Sequence, residues 1–118
     1  MSGENEKRTV SFNDFAKLDL RVATILRAER VENANKLFKL YIKIGDEKRT
    51  LAAGIAEHYS PEELEGKKIV VVANLEPKKL RGIESQGMLL AACTEDESKI
   101  VLITPDANRE IEDGCRVR

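Results

Sequence analysis

The sequence predicts an all-β barrel in one domain, on three observations. Its 118 residues are 42% hydrophobic and 35% charged, the profile of a soluble chain with room for one core. Short alternating or β-branched segments recur along it, separated by polar turns. One helix is clearly signalled, and it is short and lies between the third and fourth strand candidates.

Each element has its own signal. Met1–Thr9 is polar and expected to be a loose arm, with the domain running over 10–118. Leu18–Val31 alternates in part (Leu20, Val22, then Ala23, Thr24, Ile25, Leu26) and reads as a long strand that bulges where the alternation slips. Lys36–Ile44 alternates cleanly, with Phe38, Leu40, Ile42 and Ile44 as the inward set. Turn chemistry over Gly45–Lys48 precedes a third strand, Arg49–Ala53. Ser60-Pro61-Glu62-Glu63-Leu64-Glu65-Gly66 combines a capping Ser, Pro at the first helical position, Glu three residues after the cap and a Gly stop. Ile69-Val70-Val71-Val72 in Lys68–Asn74 reads as a buried strand. Ile83, Met88–Ala92, Ile100–Ile103 and Ile111–Val117 are further strand candidates, with Glu95–Ser98 as a turn. A helix between strands three and four selects a five-stranded, OB-like barrel over a sandwich.

Several function classes drop out. No apolar run approaches the roughly 18–20 residues of a membrane span. The N-terminal segment lacks an apolar signal core, so a cytoplasmic protein without a membrane partner is expected. Two cysteines, Cys93 and Cys115, are too few for a disulfide framework or a four-thiolate zinc site, and both are expected as free thiols. Cys93, in an apolar strand, is expected to act as a small hydrophobe. The single histidine, His58, has no partner pattern and flanks the short helix. The acidic runs Glu62-Glu63-Glu65 and Glu95-Asp96-Glu97 read as solvated faces, and Gly82–Gly87 lacks the Lys-Ser/Thr of a phosphate loop. No active site, cofactor or metal is expected.

Charge is uneven behind a net of −1. Ala16–Thr50 carries nine bases against five acids, whereas Glu95–Asp113 carries seven acids against two bases. Between them Lys78-Lys79-Leu80-Arg81 places three cations in four residues. A fold that gathered Lys36, Lys39 and Lys78–Arg81 would have a phosphate-binding face; charge alone does not separate that from chance clustering.

The most distinctive segment runs from Asn74 to Ala92: a strand end, a loop set by Pro77, three cations, Gly82 and Gly87, then re-entry into an apolar strand. Its cations suit phosphates, and Asn74, Ser85 and Gln86 suit 2′-hydroxyls or base edges. Met88 suits an exposed base or sugar. A basic hairpin loop with Met88 in the core fits the composition equally well.

This segment resembles the signature of the tRNA-binding domain appended to methionyl-tRNA synthetases, which also occurs free-standing and in cytokine-like auxiliary proteins of multi-synthetase complexes. The family pattern Asn-Leu-x-Pro-x-Lys-x-x-Gly-x-x-Ser-x-Gly-Met-x-Leu-x-Ala is matched at every fixed position by Asn74–Ala92. Asp19-Leu20-Arg21-Val22, Lys36-Leu37, Lys39-Leu40, Gly45-Asp46 and Arg49–Gly54 match its earlier strands, so the resemblance covers about residues 12–118. One departure stands out: Val31-Glu32-Asn33-Ala34-Asn35-Lys36-Leu37 lacks the His-Pro and the Asp that many members carry before Lys-Leu.

The resemblance implies an OB-fold with a C-terminal β extension, tRNA recognition by shape at the elbow, and a homodimer. It implies Asn74, Lys79, Ser85 and Met88 on the tRNA face, with Lys36, Lys39 and Arg49 nearby; Lys78 and Arg81 join on charge and proximity. The expected function is a non-catalytic tRNA-binding module, acting alone or as the small (β) subunit of methionyl-tRNA synthetase, whose catalytic subunit is a candidate partner. Ile100–Ile103, Ile111 and Val117 are the expected dimer interface. The rivals are a general single-strand-binding OB module and a protein-interaction scaffold. Phe12, Phe15, Phe38, Tyr41 and Tyr59 are the only aromatics and none lies in the basic loop, which argues against base-stacking strand binders.

Overall fold

The structure is a computed structural model that describes residues 8–118. The expected arm Met1–Thr9 therefore lies almost wholly outside the described residues. Three long strands form first: β1 (Leu20–Val31), β2 (Ala34–Ile44) and β3 (Glu47–Ala53), all antiparallel. Phe38, Leu40 and Ile42 are fully buried, as the alternation of β2 requires, and Ile44 packs half-buried against them. β2 turns into β3 at Gly45, whose φ of +60° allows Ile44 to pair directly with Glu47. The turn is thus tighter than the sequence suggests, and β3 starts two residues earlier than expected.

The register of β1 slips between Ile25 and Arg27, leaving Leu26 as the extra residue of a bulge. Ala23 and Ile25 face the core before the slip and Ala28 after it, so Arg27 is turned outward. α2 (Pro61–Leu64) carries the full capping box: Ser60 Oγ accepts from the Glu63 N–H, and the Glu63 carboxylate accepts from the Ser60 N–H at 2.8 Å. Its one apolar residue, Leu64, is fully buried in the barrel core.

β4 (Lys68–Val72) pairs with β1 on the edge opposite β2. Its continuous apolar run has a simple cause. Ile69 and Val71 enter the main core, while Val70 and Val72 form a second cluster with Leu20 under Leu90 and Val117. After β4 the chain forms a hairpin, β5 (Lys78–Leu80) and β6 (Ile83–Ser85), and returns to β4 as β7 (Met88–Leu89). The sheet order β3-β2-β1-β4-β7 is closed by contacts from β3 to the segment Glu84–Gln86. The result is the expected OB-like barrel, with the helix between the third and fourth strands.

The C-terminal extension is β8 (Ala91–Cys93) paired with β9 (Ile100–Leu102), then β10 (Arg116–Val117). β10 takes the edge of β1 that β2 leaves beyond Thr24. Of the expected strand Ile111–Val117 only Arg116–Val117 is therefore strand; the rest is a turn at Asp113-Gly114 and irregular chain. Gly114 there packs so closely on Gly45 that a Cβ would lie 3.0 Å from the Gly45 Cα. Cys93, expected to act as a small hydrophobe, is on β8 but exposed, and Cys115 is half-buried; both are free. A second short helix, α1 (Phe12–Ala16), was not signalled strongly enough to be predicted, although Ser11 caps it through the Asp14 N–H.

Candidate nucleic-acid interface

The Asn74–Ala92 segment resolves into parts with different physical roles. Pro77 leads into β5, and the two-residue turn Arg81-Gly82 has positive φ at both positions (51° and 82°), the conformation a tight hairpin demands. Lys78, Lys79, Arg81 and Leu80 are all exposed on this hairpin. The Arg81 Nη1 donates to the Asn33 carbonyl at 3.4 Å, setting the hairpin turn against the β1–β2 turn, three residues before Lys36. Lys36 is exposed, and its carbonyl accepts from the Ala56 N–H at 3.0 Å. The ends of the β1–β2 and β5–β6 hairpins together present Lys36, Lys78, Lys79 and Arg81. Among the described residues none of these four enters an ion pair. Glu76 and Glu84 accompany the hairpin, with Glu84 opposite Lys79 in register.

Two further residues of the set reach the surface elsewhere. Lys39 lies half-buried on the outer face of β2, its Nζ 5.0 Å from the centroid of the Tyr41 ring. Met88 pairs with Val72 yet is 48% exposed, which decides against a core role.

Three residues of the expected set are engaged in holding the barrel. Ser85 is 7% exposed; its hydroxyl accepts from the Ala52 N–H and donates to the Gly87 carbonyl, each at 3.0 Å. It stands in for a ladder partner at the seam between β3 and β6. Arg49 donates to the carbonyls of Ala73 (2.5 Å) and Gln86 (3.1 Å) and to both oxygens of Glu47. Those bonds hold the Glu47 carboxyl below its ordinary pKa. Asn74 accepts from the Asp19 N–H (2.8 Å) and donates to the Lys17 carbonyl (2.6 Å), tying the entry of β1 to the end of β4.

Residues missed from the sequence lie on the outer face of β1–β3. Arg27 sits over the Tyr41 ring, 4.5 Å from its centroid, and pairs with Glu29 at 2.6 Å. The Tyr41 hydroxyl, and after it the Glu29 charge, raise the Arg27 pKa above its ordinary value. Beside them lies a depression of about 400 Å³ lined by Leu26, Tyr41, Lys48, Thr50 and Gln86. Only the bulge at Leu26 brings Arg27 to this face, and the sequence foretold a bulge without fixing its register.

No helix among the described residues is long and apolar enough to cross a membrane.

Comparison with known proteins agrees with this geometry. The family model described as "Putative tRNA binding domain" matches residues 20–114. The chain is 54% identical over 112 residues to the methionine–tRNA ligase of Archaeoglobus fulgidus, covering 95% of this chain and 16% of that protein. It is 56% identical over 112 residues to that of Thermotoga maritima, covering 95% and 17%. The chain thus spans about one sixth of the length of these relatives. Among solved structures, a MetRS-related protein from Pyrococcus horikoshii superposes with TM-score 0.87 at 43% identity, covering 95% of this chain and all of that one. The chaperone CsaA of Bacillus anthracis superposes with TM-score 0.83 at 32% identity, covering 94% and all of that chain. The motif, the barrel and these matches agree: the chain belongs to the tRNA-binding-domain family and is homologous to the corresponding segment of methionine–tRNA ligases.

Proposed function

We propose that the protein is a non-catalytic module that binds folded tRNA through shape and backbone contacts, working in the cytoplasm alone or as an accessory β subunit of methionyl-tRNA synthetase. The observation that carries this reading is the set of exposed cations Lys36, Lys78, Lys79 and Arg81, which enter no ion pair among the described residues and lie on two adjoining hairpins of an OB-like barrel. Such cations displace counterions from phosphates and give affinity without sequence selectivity. Met88 and Lys39 extend the contact surface. Asn74, Ser85 and Arg49 serve it as positioning residues, since their polar groups are committed to the barrel. Beside a synthetase, the module would raise the effective concentration of tRNA without new chemistry.

A homodimer doubles the cationic surface. Its support is apolar: Val101, Ile103 and Ile111 are 55%, 43% and 38% exposed. They adjoin or line a groove of about 450 Å³ that also includes Val22, Val70 and Val117. Sedimentation across a concentration series tests the dimer, and Ile103→Lys shifts it toward monomer.

The deciding experiment for the function is competition. Purified protein is titrated with a total tRNA pool in the presence of unstructured RNA. Retention of tRNA supports recognition of folded shape; displacement by the unstructured RNA makes this a general strand binder; no binding to either makes the basic loops a protein interface.

A further inference from the structure

Arg27 lies outside the Asn74–Ala92 motif, yet its exposed guanidinium is held by both Glu29 and Tyr41. Glu29 takes the Arg27 Nη2 at 2.6 Å on one carboxylate oxygen and the Tyr41 hydroxyl at 3.0 Å on the other. With the guanidinium 4.5 Å from the Tyr41 centroid, three side chains fix one plane. The Arg27 side chain remains 56% exposed, so the plane has a surface to offer. Glu29 neutralises much of its charge, which weakens it as a phosphate site and leaves it suited to stacking. RNA-binding proteins hold unstacked bases on aromatic rings and on arginine planes of this kind.

The neighbouring depression supplies an edge for such a base. The Gln86 Oε1 accepts from the Thr50 N–H at 3.1 Å, which orients the amide and leaves its Nε2 as a donor. Lys48 lines the same depression and enters no ion pair among the described residues. Gln86 directly follows β6, so the depression adjoins the basic hairpin.

We propose that the outer face of β1–β3 is a stacking site for one unstacked nucleobase, with the Arg27 guanidinium as platform and the Gln86 amide reading the base edge. It rests on the tRNA-binding reading and adds to it a site for an unpaired base, where the basic loops meet only backbone.

Arg27→Lys keeps the charge and removes the plane. The full chain and this variant are compared on a full-length tRNA transcript and on a blunt RNA duplex, each across a salt series. The site predicts that the variant loses at least about fivefold in affinity for tRNA. Its salt slope, its melting temperature and its duplex affinity stay as in the parent. Undiminished tRNA affinity, or an equal loss on the duplex, overturns the proposal while leaving the tRNA-binding reading intact. Failure of the parent protein to bind tRNA overturns both. A check that needs no variant is the Arg27 Nε–H resonance of the parent protein, which shifts when the tRNA transcript is added and not when the blunt duplex is added; no shift on bound tRNA overturns the site.

Discussion

Replacing Lys79 by Ala removes an exposed cation that has no hydrogen-bond or ion-pair partner among the described residues. tRNA affinity should fall by about 1–2 kcal/mol, the range for a charge-assisted contact, with the melting temperature unchanged. Ser85→Ala should do the reverse. It strips the Ala52 N–H and the Gly87 carbonyl of a partner at a buried seam, costing about 1–3 kcal/mol of stability. Paired thermal melts and tRNA titrations of the two variants read this directly. Both residues occupy fixed positions of one motif, so the sequence gives them equal standing. Which of them faces solvent depends on how β6 closes against β3, a long-range contact that no local pattern encodes. Arg49 is the same case, since its carbonyl partners, Ala73 and Gln86, lie 24 and 37 residues away.

Gly87 shows how an element depends on one position. Its φ is +135°, and a Cβ there would lie 2.9 Å from the Val72 carbonyl oxygen and 3.4 Å from the Leu51 Cδ2. Gly87→Ala should therefore cost about 2 kcal/mol or more in a denaturant titration. The Val72–Met88 pairing would loosen with it. Regular elements were legible where periodicity or capping is local: Phe38, Leu40 and Ile42 of β2, and the Ser60–Glu63 box of α2. α1 was less so because its five residues bury nothing, leaving no apolar stripe to notice. The segment Ile111–Val117 misleads for the opposite reason. Its apolar ends suggest a strand, but Asp113 and Gly114 bend it onto Gly45.

At the scale of the whole molecule, Asp113 joins the C-terminal extension to the barrel. Its side chain is 12% exposed and accepts from Thr24 Oγ1, Lys43 Nζ and the Gly45 N–H, on β1, β2 and the turn between β2 and β3. Burial pushes its pKa up, but the bonds from Thr24, Lys43 and Gly45 outweigh burial and hold it below the ordinary value. A depressed carboxyl stabilises the fold above its unfolded pKa of about 3.9 and ceases to as pH falls through the folded value. Asp113→Asn should cost about 1–3 kcal/mol near neutrality, and its deficit against the parent should shrink below about pH 4, as thermal melts across pH would record.

Behind a net charge of −1, two adjoining hairpins present Lys36, Lys78, Lys79 and Arg81 to solvent, and the proposed function uses them to hold tRNA phosphates. The most direct test is the salt dependence of tRNA binding for the parent and for a Lys36→Ala/Lys78→Ala/Lys79→Ala variant. Loss of three phosphate contacts should make the slope of log affinity against log salt shallower by about two to three, with the melting temperature unchanged. An identical slope in parent and variant would contradict phosphate contact by these lysines and move any tRNA contact to another face.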